Sequence, residues 1–425
     1  MRRATTAAVA LATSSALSIT MLAGAAPATT GGTDRSTTTS KARYVDFALK
    51  GAGFGSRASG GEVPTGSDQT AFMAIGCATR VGIDRENHEA EVTIPGLGKA
   101  SDVKTDIWTR KSGDQVSTFT RNSLSKLVVA QSGFGSVRIR AISSLAPAWH
   151  DDRGFHSEAT TSVGSIELVP PGGGDPQELD LPAPGQPIEI PGLATISLGT
   201  TRKHADESGA SARANALVVA KTASGTRSSV SQAKASVLDG VKHGTFHGFS
   251  AATEMEAADG TVTSGRTPLS LMPCQGTGGE TWTKEASDSD LGGNLLATGL
   301  KSANFGKQMP GKSVARERAS VAHFGLGGGQ LDIDDIIGQA NVTRDGRTVV
   351  ADTKGSTVGT VTAGGEEQEF PDTGVLEIPG VARLERFVTQ KSPNGVSIIA
   401  LRVTLLDGTG AVINLGQAKA LIRAH

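Results

Sequence analysis

The sequence predicts an all-β protein: two tandem related modules of long antiparallel strands, sandwich- or barrel-like. The first observation is a phrase that occurs twice, Ile188-Glu189-Ile190-Pro191-Gly192-Leu193-Ala194 and Leu376-Glu377-Ile378-Pro379-Gly380-Val381-Ala382. Pro presets φ and the Gly after it supplies φ > 0, so each Pro-Gly reads as a type II turn between short strands. The second is period-two alternation, as in residues 137–141 and 399–405, with tight-turn signals such as Asp345-Gly346, Asn394-Gly395 and Asp407-Gly408. The third is the poverty of helical pattern. Its best candidate, residues 231–238, is short, Ser-rich and fits a strand equally well.

Taken in order, the chain starts with Arg2 and Arg3, a mildly apolar stretch over 7–23, and Ala26-Pro27-Ala28. That is the layout of a signal peptide over 1–28, by the general secretory route. Residues 29–43 are a polar tether with nothing to bury. A first module is expected over 44–256 and a second, its internal repeat, over 257–425. Turn spacings predict strands longer than the usual five or six residues. The alternative architecture is a β-solenoid, which requires a short fixed period; only a long one of about 190–200 residues is visible. A third phrase, Ile94-Pro95-Gly96-Leu97, has its expected counterpart near Leu291-Gly292-Gly293.

Gly supplies 55 of 425 residues, about twice the ordinary share of ~7%. Aromatics are 4%, so Val, Ile, Leu and Ala must build the core. The net charge is −1 with both signs scattered along the chain, which leaves no linear footprint for nucleic acid or anionic lipid. Beyond the leader no stretch approaches the ~18 apolar residues of a membrane span. The last residues, 421–425, carry no sorting motif, so a secreted, extracellular protein is expected, associated with the cell surface at most. Cys77 and Cys274 sit in similar text, each seven residues after a Thr. Two readings fit: inherited free thiols, or one disulfide stapling the modules; the bridge is the reading taken, as suits an exported chain.

Several phrases carry a resemblance: Gly53-Phe54-Gly55, Gly60-Gly61-Glu62-Val63-Pro64, Trp149-His150-Asp151-Asp152, and Leu271-Met272-Pro273-Cys274-Gln275-Gly276-Thr277-Gly278-Gly279. With Gly328-Gly329-Gln330-Leu331 and residues 380–386, they make the chain resemble the choice-of-anchor P family of exported bacterial proteins. The resemblance implies a surface or secreted protein of unassigned activity whose members differ in their C-terminal anchor. This chain departs from that pattern by ending on a strand without an anchor, which favours simple secretion.

The chemistry-bearing motifs are few. Gly306-Lys307-Gln308-Met309-Pro310-Gly311-Lys312-Ser313 spells a phosphate-binding loop, but β-like alternation flanks it where a strand and a helix are needed, so a hairpin loop is expected. His150, Asp151, Asp152 and His156 share one expected turn and form the weak candidate for metal binding or acid/base work, against a plain Asp-Asp-Arg-Gly turn. His243 and His247 are four apart, ~13 Å along a strand, too far to chelate one ion. Asp288, Asp290, Asp332, Asp334 and Asp335 are the candidates for calcium, though none has the spacing of a calcium-binding loop. No cofactor is otherwise expected, and no Ser elbow or catalytic constellation is present. Trp108, Trp149 and Trp282 read as core or edge residues. The expected function is a structural or adhesive role in the cell envelope, its partners cell-wall or extracellular surface components. The alternatives are an extracellular hydrolase on polysaccharide or ester substrates, and a small-ligand-binding module.

Overall fold

All three Ile-Pro-Gly phrases close hairpins with a type II turn. Leu193 N–H donates to Ile190 O at 3.0 Å, Val381 to Ile378 O at 3.0 Å and Leu97 to Ile94 O at 3.1 Å. Gly192, Gly380 and Gly96 sit at φ +71°, +70° and +64°, where a Cβ would be strained. The computed structural model describes residues 44–61, 67–133, 135–172, 174–257, 262–263, 265–292 and 295–424. The expected signal peptide and tether lie outside the described residues.

The first half contains β1 (Tyr44–Ser59), β2 (Met73–Arg80), β3 (Asp84–Ile94), β4 (Gly98–Ser112), β5 (Gln115–Ser132), β6 (Gly135–Asp151) and β7 (Gly154–Ser157). It continues with β8 (Thr160–Ser162), β9 (Ser165–Val169), β10 (Gln177–Leu179), β11 (Ile188–Ile190), β12 (Ala194–Leu198), β13 (Thr201–Asp206), β14 (Gly209–Lys221) and β15 (Arg227–Leu238). The second half contains β16 (Thr245–Ala257), β17 (Val262–Thr263), β18 (Thr267–Leu271), β19 (Thr281–Gly292), β20 (Leu295–Met309), β21 (Lys312–Leu326) and β22 (Leu331–Asp345). After these come β23 (Thr348–Asp352), β24 (Val361–Ala363), β25 (Glu366–Gln368), β26 (Val375–Ile378), β27 (Ala382–Ser392), β28 (Gly395–Leu405) and β29 (Val412–Arg423). The described residues contain no helix, and so none that could cross a membrane.

Four antiparallel sheets result. Sheet I runs β11-β12-β14-β15-β1-β2 with β13 beside β14, and sheet II runs β10-β9-β6-β5-β4-β3 with β7 and β8 beside β6. Sheet III runs β26-β27-β28-β29-β16-β17 with β18 beside β16, and sheet IV runs β19-β20-β21-β22-β24-β25 with β23 beside β22. Sheets I and II face each other, as do III and IV, so each half is a two-sheet sandwich. The pairing order is the same in both: β1 with β15 and β16 with β29, β3-β4-β5-β6 and β19-β20-β21-β22, β11-β12-β14 and β26-β27-β28. Even the irregularities recur. Residues at positive φ interrupt the ladders at Asp102 and Gly299, at Ala141 and Asp335, and at Ser231 and Gly416. The register is the same on either side of each interruption, so the partners do not change. The third phrase is the β3–β4 hairpin, which corresponds to the β19–β20 connection, as expected from Leu291-Gly292-Gly293.

The boundary expected at 256 and 257 moves. Residues 245–257 pair with β29 along its length, in the place β1 occupies beside β15, so the second sandwich begins at Thr245. The described residues of both halves belong to one compact unit. Gln308 holds the linker between them: its Oε1 accepts from Lys242 N and His243 N, each at 2.8 Å, and its Nε2 donates to Gly240 O at 2.7 Å and Gln275 O at 2.9 Å. Beside it, Cys77 and Cys274 form a disulfide with Cα atoms 5.3 Å apart, packed with Ala48, Leu238 and Val241.

Each sandwich is filled by small aliphatic side chains, such as Leu127, Ile139, Ile166 and Ile196 in the first and Ile333, Ile336, Leu401 and Leu415 in the second, all fully buried. Glycine lets the sheets close over branched residues. A Cβ on Gly55 would stand 2.0 Å from Val103 Cγ1, which no packing tolerates. Between the apolar ends of the first sandwich runs a buried polar belt. In it Asn122 Nδ2 donates to Thr105 Oγ1 at 2.8 Å, Ser231 and Ser144 hydroxyls meet at 3.0 Å, and Thr120 Oγ1 donates to Lys234 O at 2.7 Å. In the second sandwich the position of Thr120 is taken by Glu317, fully buried.

Candidate functional site

The outer face of sheet I gathers cations from four strands. Register places Arg202 on β13 directly opposite Arg213 on β14, and Arg213 directly opposite Lys234 on β15. The hairpin geometry dictates the first pair, since the β13–β14 turn joins Asp206 to Gly209 and each arginine lies four residues from its end of that turn. Side chains directly opposite on one face lie ~4.5–5.5 Å apart at Cβ, and like charges there are destabilising. Arg57 on β1 adds a fourth charge close enough to act on Lys234. In the next row His204, Ser211, Ser236 and Lys50 stand in line.

The cationic face continues onto sheet III across the disulfide. His247 on β16 feels the charges of Lys50, from the first sandwich, and of Arg423 at the end of β29. Lys419 lies on the same side of β29 as Arg423, four residues earlier. Desolvation, then Arg423, then Lys50 push His247 down to about 4, so its imidazole is neutral near pH 7. Lys234 is lowered by desolvation first and by Arg213 and Arg57 next. Lys50 is exposed overall, yet crowding around its ammonium lowers its pKa by desolvation.

The outer face of sheet II shows what compensated charge looks like in this protein. There Lys99 pairs with Glu91 at 2.9 Å, Lys104 with Glu86 and Asp106 at 3.0 Å each, Arg121 with Asp106 at 3.0 Å, and Arg138 and Arg140 both with Glu167. Among the described residues, none of Lys50, Arg57, Arg202, Arg213, Lys234, Lys419 or Arg423 has a carboxylate within ion-pair distance. Charged edge strands guard a sheet against edge-to-edge pairing. That accounts for Arg202 and Lys203 on β13 but not for Arg213 and Lys234 on interior strands. What remains is a row of cations across interior strands without carboxylate partners among the described residues.

The expected site residues fall elsewhere. His150 packs its ring between Phe47 and Phe155, at 4.7 and 4.6 Å between centroids. Asp151 takes Arg153 N at 2.9 Å and His156 Nε2 at 3.0 Å, and Trp149 stacks on His156. Desolvation acts to raise the Asp151 pKa, and the Arg153 and His156 hydrogen bonds outweigh it, leaving the carboxyl below its ordinary value. Asp152 is an exposed turn residue. The four therefore build a self-satisfied Asp-Asp-Arg-Gly turn, and no metal-holding group of three His, Cys, Asp or Glu exists among the described residues. Asp332 and Asp334 lie on the outer face of β22 and flank His323, with Asp334 Oδ1 2.8 Å from its Nδ1. The Gly306–Ser313 phrase is the β20–β21 hairpin, with Gly311 at φ +72°. His243 lies in the linker and His247 in β16.

A depression of about 500 Å³ on sheet II is lined by His88, Asp102, Lys104, Ser125 and Ala141, with His88 3.5 Å from Asp102. Its counterpart of about 400 Å³ on sheet IV carries Glu285, Gly299 and Lys301. Both sit at the same interruption of the duplicated ladder, so the concavity belongs to the backbone; Lys104 and Lys301 are equivalent in the two linings, whereas His88 and Asp102 are replaced by Glu285 and Gly299. The chain matches no protein-family model and no curated relative.

Proposed function

We propose that this is an exported envelope protein that binds an anionic cell-envelope polymer through the shared cationic face, in a structural or adhesive role. One observation carries the reading: the in-register row Arg202–Arg213–Lys234, three like charges on neighbouring strands without a carboxylate. A fold that keeps mutually repelling side chains on interior strands holds them for a partner of opposite charge. A polymer suits this surface better than a small ion, because the cations extend from β13 across Lys50 to Arg423 rather than converging. The leader-like residues 1–28 and the resemblance to the choice-of-anchor P family support export and a place in or near the envelope.

The test is sedimentation with isolated cell walls, before and after chemical removal of their anionic polymers, across a salt series. Log affinity falls linearly with log salt when counterions are released, by roughly 0.7 per contact on a single-stranded polyanion. Loss of pulldown after stripping, and a slope reduced by about two in R202T/R213T/K234T, are expected. Equal pulldown from stripped walls, an unchanged slope, or tighter binding to duplex DNA than to wall polymer overturns the reading.

A further inference from the structure

The cationic face is uneven. Most of it is open strand surface, but at its sheet III end the β27–β28 hairpin and β29 border an open-sided cavity of about 270 Å³. Its walls are Gln390 and Ser392 on β27, Asn394 in the turn, Ser397 on β28, and Lys419 and Arg423 on β29. Register explains the convergence. Gln390 lies opposite Ser397, and Ser397 opposite Lys419, so an amide, a hydroxyl and an ammonium stand in one row. One row further, Gly395 lies opposite Leu421, and a Cβ there would stand 2.1 Å from Ala420 O, so glycine is what lets the hairpin close against β29. Asn394 is held in place: its Oδ1 accepts from Arg344 at 2.8 Å and its carbonyl from Ile422 N at 2.9 Å. Ser392 is tied to Gly395 O at 3.2 Å. The floor is therefore rigid, while Gln390, Ser397, Lys419 and Arg423 keep their side-chain donors unengaged among the described residues.

We infer that this cavity is a discrete subsite for one acidic unit of a polyhydroxylated polymer. Lys419 and Arg423 take the anionic oxygens, and Gln390 and Ser397 take the neighbouring hydroxyls. The size agrees: the volume lies just below the ~300–1,000 Å³ of drug-sized sites, room for one sugar or polyol unit and its acid group. The donor set agrees too, since guanidinium and ammonium together match an oxyanion and offer no acceptor to a cation. In the first sandwich β13 and β14 continue past the corresponding level as a paired hairpin, and Arg202, Arg213 and Lys234 occupy the equivalent row.

This inference deepens the proposed function and is separable from it. Glycerol phosphate and glucuronate, as single phosphate-bearing and carboxylate-bearing units, are titrated into the full mature chain and followed by amide chemical shifts. Saturable shifts confined to 390–397 and 419–423 are expected, at least tenfold weaker in K419A/R423A and unchanged in R202T/R213T/K234T. Q390A should weaken glucuronate or glycerol phosphate without changing the salt slope, which a nonspecific cation effect would not do. The arm with the tighter monomer identifies phosphate or carboxylate as the acid. Absence of saturable shifts, or equal binding by K419A/R423A, overturns the subsite even where the wall-polymer result stands. Monomer binding that survives while wall binding is absent upholds the subsite and removes the polymer reading. Far-UV dichroism of each variant establishes that it is folded before it is scored.

Discussion

Cys77 and Cys274 are bonded to each other and occupy equivalent places in the two halves. They are 197 residues apart, the same interval that separates the β4–β5 turn, Ser112 to Gln115, from the β20–β21 turn, Met309 to Lys312. The operation that carries one sandwich onto the other therefore moves this point by only 5.3 Å between Cα atoms, and its axis runs beside the bond. Lys50 and His247 are also separated by that interval and are also neighbours, which is why the two cationic half-faces meet there.

The bridge closes a very long loop. In the chain-entropy model such a closure stabilises by about 5 kcal/mol, an upper figure. C77S/C274S should unfold at clearly lower urea and leave binding of a single acidic unit intact. An unchanged urea midpoint, or alkylation of both thiols in unreduced wild-type protein, would refute the staple.

Arg213 should trade stability for binding. R213T removes one member from two opposed like-charge pairs and places a β-branched residue on an interior strand, so it should stabilise by ~0.2–1 kcal/mol. The same change should weaken wall-polymer binding several-fold. The control, K99T, breaks the exposed Lys99–Glu91 pair and should stay within about 0.5 kcal/mol of wild type. Urea midpoints alongside polymer titrations read both signs; destabilisation by R213T would contradict the argument.

Glu317 predicts an alkaline weakness. Burial pushes its pKa well above the ordinary 4.5; the Ser250 hydroxyl lies against the carboxyl, although its own hydrogen bond goes to Ala303 O at 3.1 Å. Both Glu317 carboxyl oxygens, Ser302 Oγ and Asn304 Nδ2 are buried without a hydrogen-bond partner among the described residues, and Asn304 lies directly opposite Glu317. The folded chain thus holds a proton that the unfolded chain has released, so stability falls as pH rises from about 4.5 toward the raised value. E317Q carries no such charge and should flatten the slope. Parallel stability profiles for wild type and E317Q between pH 4.5 and 9 would sink the assignment.

His247 predicts the acid limb and reports the ligand. Its folded pKa of about 4 lies below the ordinary 6.5, so between those values the unfolded chain binds the extra proton. The contribution of His247 is complete above 6.5 and declines as pH falls toward 4. H247Q should lessen that decline. Bound polyanion offsets Lys50 and Arg423, so the imidazole midpoint, followed by proton NMR, should rise when wall polymer is added and stay fixed with a neutral glucan.

The sequence alone determined the all-β class, the duplication, the long strands and the three Pro-Gly turns, because alternation and turn chemistry act between residues close together in the chain. It also pointed to the cysteine pair, since duplication wrote similar text around both. Tertiary structure decided the rest. The strand 245–257 belongs to the second sandwich only because of a hydrogen-bonded partner more than 150 residues later, β29, and no local signal carries that pairing. His150, Asp151, Asp152 and His156 are close together in the chain, which made them a candidate against a plain turn, and the fold engages His150 in ring packing and Asp151 with Arg153 and His156. Arg202, Arg213 and Lys234 looked scattered because charge was read along the chain. Antiparallel register folds the chain back at each turn and sets residues at equal distances from it side by side, which is how scattered cations become one face.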